Sequence, residues 1–99
     1  MAGYVIANYD VIDPAGYARY LEAVGATTAA HGGDLLVADM ACEAVEGAPR
    51  KVVIVLRFES VTAAWAWYRS DDYRAIVHLR RDNSEGFLTI AGQFSATGS

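Results

Sequence analysis

At 99 residues and 10.6 kDa the chain has room for one domain with a modest core. Eight basic against twelve acidic residues leave a formal charge of −4 and a pI near 4.9, which argues against a general affinity for nucleic acid or an anionic membrane, since phosphate contacts draw on concentrated lysine and arginine. Cys42 is the only cysteine, so an internal disulfide and a multi-cysteine metal site are excluded, which suits a reducing compartment.

No cationic segment with an apolar core precedes the first strand pattern, and no apolar run approaches the roughly 20 residues a bilayer requires, so the expected location is the cytoplasm. A hydrophobic fraction of 54% and a mean hydropathy of +0.16 are high for a small lone domain and point to an oligomer.

Tyr4–Val11 reads as a first strand, with Tyr4, Ile6, Asn8 and Asp10 on one face and Val5, Ala7, Tyr9 and Val11 on the other. Asp13 followed by Pro14 starts a helix, because the carboxylate can cap free amides and proline is preshaped for the first helical position. Tyr17, Tyr20, Leu21, Val24 and Thr28 form its buried stripe, with His31 at the stripe's end and Gly32–Gly33 supplying the stop. Leu35–Val45 is read as the second strand, with Leu35, Val37, Asp39 and Ala41 sharing one side and Leu36, Ala38, Met40 and Cys42 the other. Glu46–Arg50, with Gly47 and Pro49, turns the chain.

Lys51–Phe58 is the third strand, and it is apolar on both faces: Val52, Ile54, Leu56 and Phe58 one way, Val53 and Val55 the other. A chain this short can build one helical layer, so the second face calls for a second copy of the chain. Ser60 caps a second helix running to Tyr68 or Arg69, Ser70 caps a short helix over about Asp72–Arg81, Gly86–Ala91 is the fourth strand, and Ser95–Ser99 reads as a disordered tail. The order β-α-β-β-α-β predicts an α+β, ferredoxin-like fold over residues 1–94, a four-stranded antiparallel sheet with both helices on one face.

Tyr4-Val5-Ile6, Asp13-Pro14 with Tyr17 and Tyr20, Gly32-Gly33, Glu46-Gly47, Phe58-Glu59-Ser60, Ala64, Trp67-Tyr68, Ser70, Tyr73 and Arg80 together resemble the family called domain of unknown function 1330, within the dimeric α+β barrel superfamily. The resemblance spans about Tyr4 to Gly92. It implies a homodimer whose sheets face each other and a pocket between the sheet and helices of each subunit. Superfamily relatives include cofactor-independent monooxygenases, muconolactone isomerase and polyketide cyclases, so small-molecule chemistry is implied by analogy. Where members often carry an arginine followed by two glycines on the second strand, this chain has Ala38 and then Asp39 and Met40. Arg57 is the available substitute as a cationic anchor.

Among candidate residues, His31 can move protons near neutral pH, and equally can cap the helix end. Asp39 lies in an otherwise apolar strand, where a carboxylate either joins a site or guards a sheet edge. Asn8, Asp10 and Arg57 are polar strand positions where strand pairing can set Arg57 beside a carboxylate, while Arg57 and Glu59, sharing a face with Val53 and Val55, equally fit the polar end of a dimer interface. Tyr17, Tyr20, Trp65, Trp67, Tyr68 and Tyr73 offer aromatic surface for a flat ligand, or simply core; Trp65 and Trp67, about 200° apart on a helix, cannot share a face. Arg69, Arg74, Arg80 and Arg81 are interleaved with Asp71, Asp72, Asp82 and Glu85, which reads as a solvated mixed-charge surface. His78 reads as exposed and Cys42 as a small buried hydrophobe. Motifs for phosphate loops, serine nucleophile elbows and paired-histidine metal sites are missing.

These observations lead to a homodimeric enzyme, working without cofactor, that carries out isomerisation, cyclisation or lactone opening on a small aromatic or polyketide-like substrate. His31 and Asp39 are its catalytic candidates; Asn8, Tyr17, Arg57, Trp65, Trp67, Tyr68 and Tyr73 are its substrate-binding candidates. A cofactor-independent monooxygenase acting on a phenol and a non-enzymatic binding or stress module are the alternatives.

Overall fold

The computed structural model describes residues 1–95; residues 96–99 of the tail expected to be disordered lie outside the described residues. The chain runs β1 (Gly3–Val11), α1 (Pro14–Ala30), β2 (Asp34–Asp39), β3 (Val52–Phe58), α2 (Val61–Tyr68), α3 (Asp71–Arg74), α4 (Val77–Arg81) and β4 (Ser84–Gly92). The four strands pair antiparallel in the order β2-β3-β1-β4, the ferredoxin-like arrangement.

Local chemistry accounts for the element ends. Asp13 Oδ1 accepts the amides of Ala15 and Gly16 at 3.1 and 3.3 Å, and Pro14 fills the first turn of α1. The helix stops where Gly32 takes φ 72° and the Gly33 amide donates back to the Thr28 carbonyl at 2.8 Å. Ser60 Oγ accepts the Ala63 amide to open α2, and Ser70 Oγ accepts that of Tyr73 to open α3. The single short helix expected over Asp72–Arg81 is two, broken at Ala75–Ile76.

The first strand shows the alternation its side chains predict: Val5, Ala7 and Tyr9 are at most 3% exposed. In register, Val5 lies opposite Leu56, Ala7 opposite Ile54 and Tyr9 opposite Val52, so these residues share the face that α1 and α2 cover. The Cα extents, 44 × 37 × 16 Å, have in their short dimension the thickness of one sheet and one helical layer. Tyr4, Ile6, Asn8, Val53, Val55, Arg57 and Phe87 share the opposite face, and no helix or strand among the described residues lies over it.

Strand β2 departs from the sequence expectation in length and phase. It ends at Asp39, with residues 40–51 leaving the ladder. Leu35 pairs with Leu56 but Val37 pairs with Val55, which makes Leu36 a bulge residue. Strict alternation would keep Leu35, Val37 and Asp39 together. The bulge instead returns Leu35, Ala38 and Met40 to the helix-facing side and leaves Val37 and Asp39 on the open one. Among the described residues no helix is long and apolar enough to cross a membrane.

Candidate functional site

Between α1 and the covered face of the sheet lies a cavity of about 190 Å³. The sheet lines it with Val5, Ala7, Ile54 and Leu56 and α1 with Leu21, Val24, Gly25 and Thr28; its exposed lining residues are Leu21, Gly25, Leu35, Ala38 and Met40. Its wall carries three tyrosines and one arginine beside Thr28 and Trp67. Tyr9 and Tyr17 share a hydrogen bond between hydroxyls at 2.6 Å, and Tyr20 and Tyr73 share another at 2.9 Å. Burial pushes the Tyr9, Tyr17 and Tyr20 phenols above the ordinary tyrosine range, so all three stay protonated in neutral solution. Trp67 closes one end, 1% exposed, its indole N–H donating to Thr27 Oγ1 at 3.0 Å.

Arg80 is the most unusual member. It is 7% exposed, its guanidinium carbon lies 5.9 Å from the centre of the Tyr9 ring, and its Nε is buried without a hydrogen-bond partner. The ion pairs among the described residues are His31–Asp72, Arg50–Asp10 and Arg50–Glu85, so no carboxylate pairs with Arg80. Burial works against its charge, yet the surrounding phenol oxygens, Tyr73 first and then Tyr20 and Tyr9, more than offset this and hold the group cationic. Arg80 also borders a second, more polar cavity of about 290 Å³ with Tyr68, Arg81 and Ser84. Tyr68 and Arg81 continue into a third, of about 340 Å³, with Arg69 and Arg74. The expectation of a wholly solvated mixed-charge surface therefore fails at Arg80.

The residues proposed from sequence are distributed unevenly around this site. Tyr17 and Trp67 line the first cavity, and Tyr73 packs directly behind it, with ring centres 4.0 Å from Trp67. Tyr68 borders the outer cavities. Trp65 is 40% exposed under the Arg69 guanidinium at 4.4 Å. The open face of the sheet carries both Asn8 and Arg57. Asn8 clasps the neighbouring loop, donating to the carbonyls of Arg50 and Val52 and accepting the Arg50 amide.

His31 and Asp39 are not brought together: His31 Nε2 sits 3.3 Å from Asp72 Oδ1, while Asp39 Oδ1 accepts the Ala41 amide at 2.8 Å. Arg80 and the Tyr9 hydroxyl were not among the sequence candidates. The available signal was spacing, since Tyr73, Val77 and Arg80 fall on one helical stripe and Tyr9 on the covered face of the first strand. Among the described residues no group of three or more His, Cys, Asp or Glu side chains could hold a metal ion.

Fold and site together define a ferredoxin-like α+β protein with an internal apolar cavity and an open sheet face. The chain belongs to the family "Domain of unknown function (DUF1330)", whose profile matches residues 2–94. Similar solved structures include a protein of unknown function from Rhodopseudomonas palustris, 16% identical, covering 95% of this chain and 83% of its own, with a TM-score of 0.75. A Nitrosomonas europaea protein provisionally described as an antibiotic biosynthesis monooxygenase is 18% identical over 97% of this chain and 94% of its own, with a TM-score of 0.55. A nipsnap family protein of unknown function from Agrobacterium tumefaciens is 19% identical over 96% and 92%, with a TM-score of 0.54. At these identities the likeness is one of fold. No curated protein matches the chain significantly.

Proposed function

We propose that this protein is a cofactor-independent enzyme of the cytoplasm that holds a small, ring-bearing or polyketide-like molecule in the cavity beneath α1 and catalyses isomerisation, cyclisation or lactone opening by proton transfer. The observation that carries this reading is an apolar cavity of about 190 Å³ with Tyr9, Tyr17, Tyr20 and Arg80 in its wall, Tyr9 and Tyr17 hydrogen-bonded to each other and Tyr20 to Tyr73 behind it. A dry cavity of about 150 Å³ is enough for a benzene ring. Protonated phenols and a buried cation in a water-poor site are suited to stabilising an oxyanion that develops as a proton leaves carbon. His31, one turn beyond the cavity-lining Thr28, is the proton carrier in this reading, with Asp72 as its carboxylate partner.

Gly25 offers a direct test. It sits at the cavity edge, and a Cβ there would meet no atom within 4 Å. Gly25→Leu should fill the mouth, abolish binding of small aromatic compounds in calorimetry and leave the fold intact. Undiminished binding would place the ligand elsewhere.

The cavity lining contains neither a carboxylate nor an imidazole, which favours a second reading: oxygenation of a phenolic substrate that supplies its own electrons. Oxygen uptake during turnover separates the two. Ligand binding with no turnover at all would identify a binding module instead. In each reading the protein is a homodimer joined through the open sheet face, a pairing supported by half-exposed Ile6, Val53 and Val55 and by Phe87 at 54% exposure.

A further inference from the structure

We propose that the ligand of the cavity beneath α1 is an organic anion, a single-ring carboxylate, whose carboxylate is received by Arg80. The inference rests on the cavity reading above and adds the chemical class of its occupant.

Arg80 carries an unbalanced charge. A guanidinium removed from water is costly unless a carboxylate or a full set of acceptors surrounds it. Arg80 is 7% exposed, no carboxylate pairs with it, and its buried Nε has no acceptor. Arg50 shows what a satisfied arginine looks like in the same molecule: it is half-exposed and contacts both Asp10, at 3.3 Å, and Glu85, at 3.9 Å. Tyrosine oxygens soften the surroundings of Arg80 but bring no formal negative charge, because burial keeps Tyr9, Tyr17 and Tyr20 protonated.

The placement adds direction. Arg80 and Leu88 line both the apolar cavity and the outer polar one, and Arg80 is the charged one of the two, so a ring under α1 can end in a carboxylate at the guanidinium. The planar fork of arginine matches that group, which a lysine would not. Arg69, Arg74 and Arg81 border the outer cavities and take part in none of the ion pairs among the described residues. Four of the chain's eight basic residues thus gather on this side of a protein whose net charge is −4. Asp71, Asp72, Asp82 and Glu85 are interleaved with them in sequence, but neither outer cavity has a carboxylate in its lining.

The test compares benzoate with benzyl alcohol, equal in ring and close in size but different in charge, by calorimetry on the full chain. Benzoate should bind at least tenfold more tightly, Arg80→Met should erase that preference while leaving benzyl alcohol binding within about twofold, and Arg80→Lys should restore part of it. Equal binding of the two probes, or a preference that survives Arg80→Met, overturns the proposal while benzyl alcohol binding that Gly25→Leu blocks keeps the cavity reading alive. If neither probe binds, both fall. Should Arg80→Met fail to fold, the wild-type preference is checked against the Arg80 Nε–H resonance, which should move on adding benzoate and not on adding benzyl alcohol; a resonance that ignores benzoate overturns the proposal equally.

Discussion

The two faces of the sheet are built from alternate residues of the same strands, and what each lacks is different. On the helix-facing side the apolar groups are covered, with Val5, Phe58 and Trp67 at most 1% exposed, while a cation is left without a carboxylate. On the open side Asn8 and Asp10 are satisfied: Asn8 bonds the Arg50 backbone twice and the Val52 carbonyl once, and Asp10 takes both the Lys51 amide and the Arg50 guanidinium. There it is Phe87, Val53 and Val55 that lack cover. One face calls for a counter-ion and the other for a surface. In the proposed reading a small ligand answers the first need and a second copy of the chain the second.

The largest effect should come from emptying the covered side. Trp67 packs against Phe58 and Tyr73 and donates to Thr27, so Trp67→Ala should cost about 3–5 kcal/mol in urea unfolding. A loss below about 1 kcal/mol would mean the covered face is loosely packed. The mirror experiment charges the open side. Val55→Glu should halve the solution mass measured by light scattering and leave helical circular dichroism unchanged, since Val55 has no helix above it. If the mass stays that of a dimer, the subunits meet elsewhere.

How far these faces were legible in the sequence depends on what each residue type reports. Alternation in Tyr4–Val11 placed Val5, Ala7 and Tyr9 together correctly, and helical geometry separated Trp67 from Trp65, now 1% and 40% exposed. Asp13–Pro14 and Gly32 marked the ends of α1 because capping is local chemistry. The bulge at Leu36 was hidden, because an extra residue in a ladder is set by the partner strand and leaves no signature in Leu35–Val37 itself. The break between α3 and α4 contains neither glycine nor proline. Arg80 was concealed by its company: Arg81 and Asp82 follow it, and charge so arranged reads as solvated even when the helical stripe from Tyr73 buries one member. The pairing of His31 with Asp72 spans 41 positions and depends on where α3 docks.

The tyrosines allow the comparison to be sharpened by pH. In the unfolded chain a phenol ionises near pH 10, whereas in the fold burial raises Tyr9, Tyr17 and Tyr20 above that. Above pH 10 the unfolded state therefore holds fewer protons than the native one, and stability falls as pH rises. Below about pH 10 this contribution is fully present. Urea midpoints should be flat in this respect from pH 8 to about 10 and then decline, with the phenolate absorbance of these three rings appearing only as the protein unfolds. Phenolate formation in the still-folded protein by all the rings would show the cavity wall to be wet. Tyr17→Phe isolates one pair: it strands the Tyr9 hydroxyl, 2% exposed, and should cost about 1–3 kcal/mol.

The smallest effect on stability is expected at His31, and it decides most about mechanism. Its contact with Asp72 is at the surface, 3.3 Å long with side-chain exposures of 29% and 45%, so solvent and salt screen whatever attraction it has. His31→Ala should therefore leave the urea midpoint close to wild type. Turnover should fall sharply if the imidazole carries the proton, and Asp72→Asn should reduce it less, by loosening the ring's orientation. Retained turnover in His31→Ala, alongside loss in Tyr17→Phe, would move the chemistry wholly into the cavity wall. The histidine would then be the end of a helix tied to its neighbour, and the acid–base work of the proposed reaction would rest on buried phenols held protonated beside Arg80.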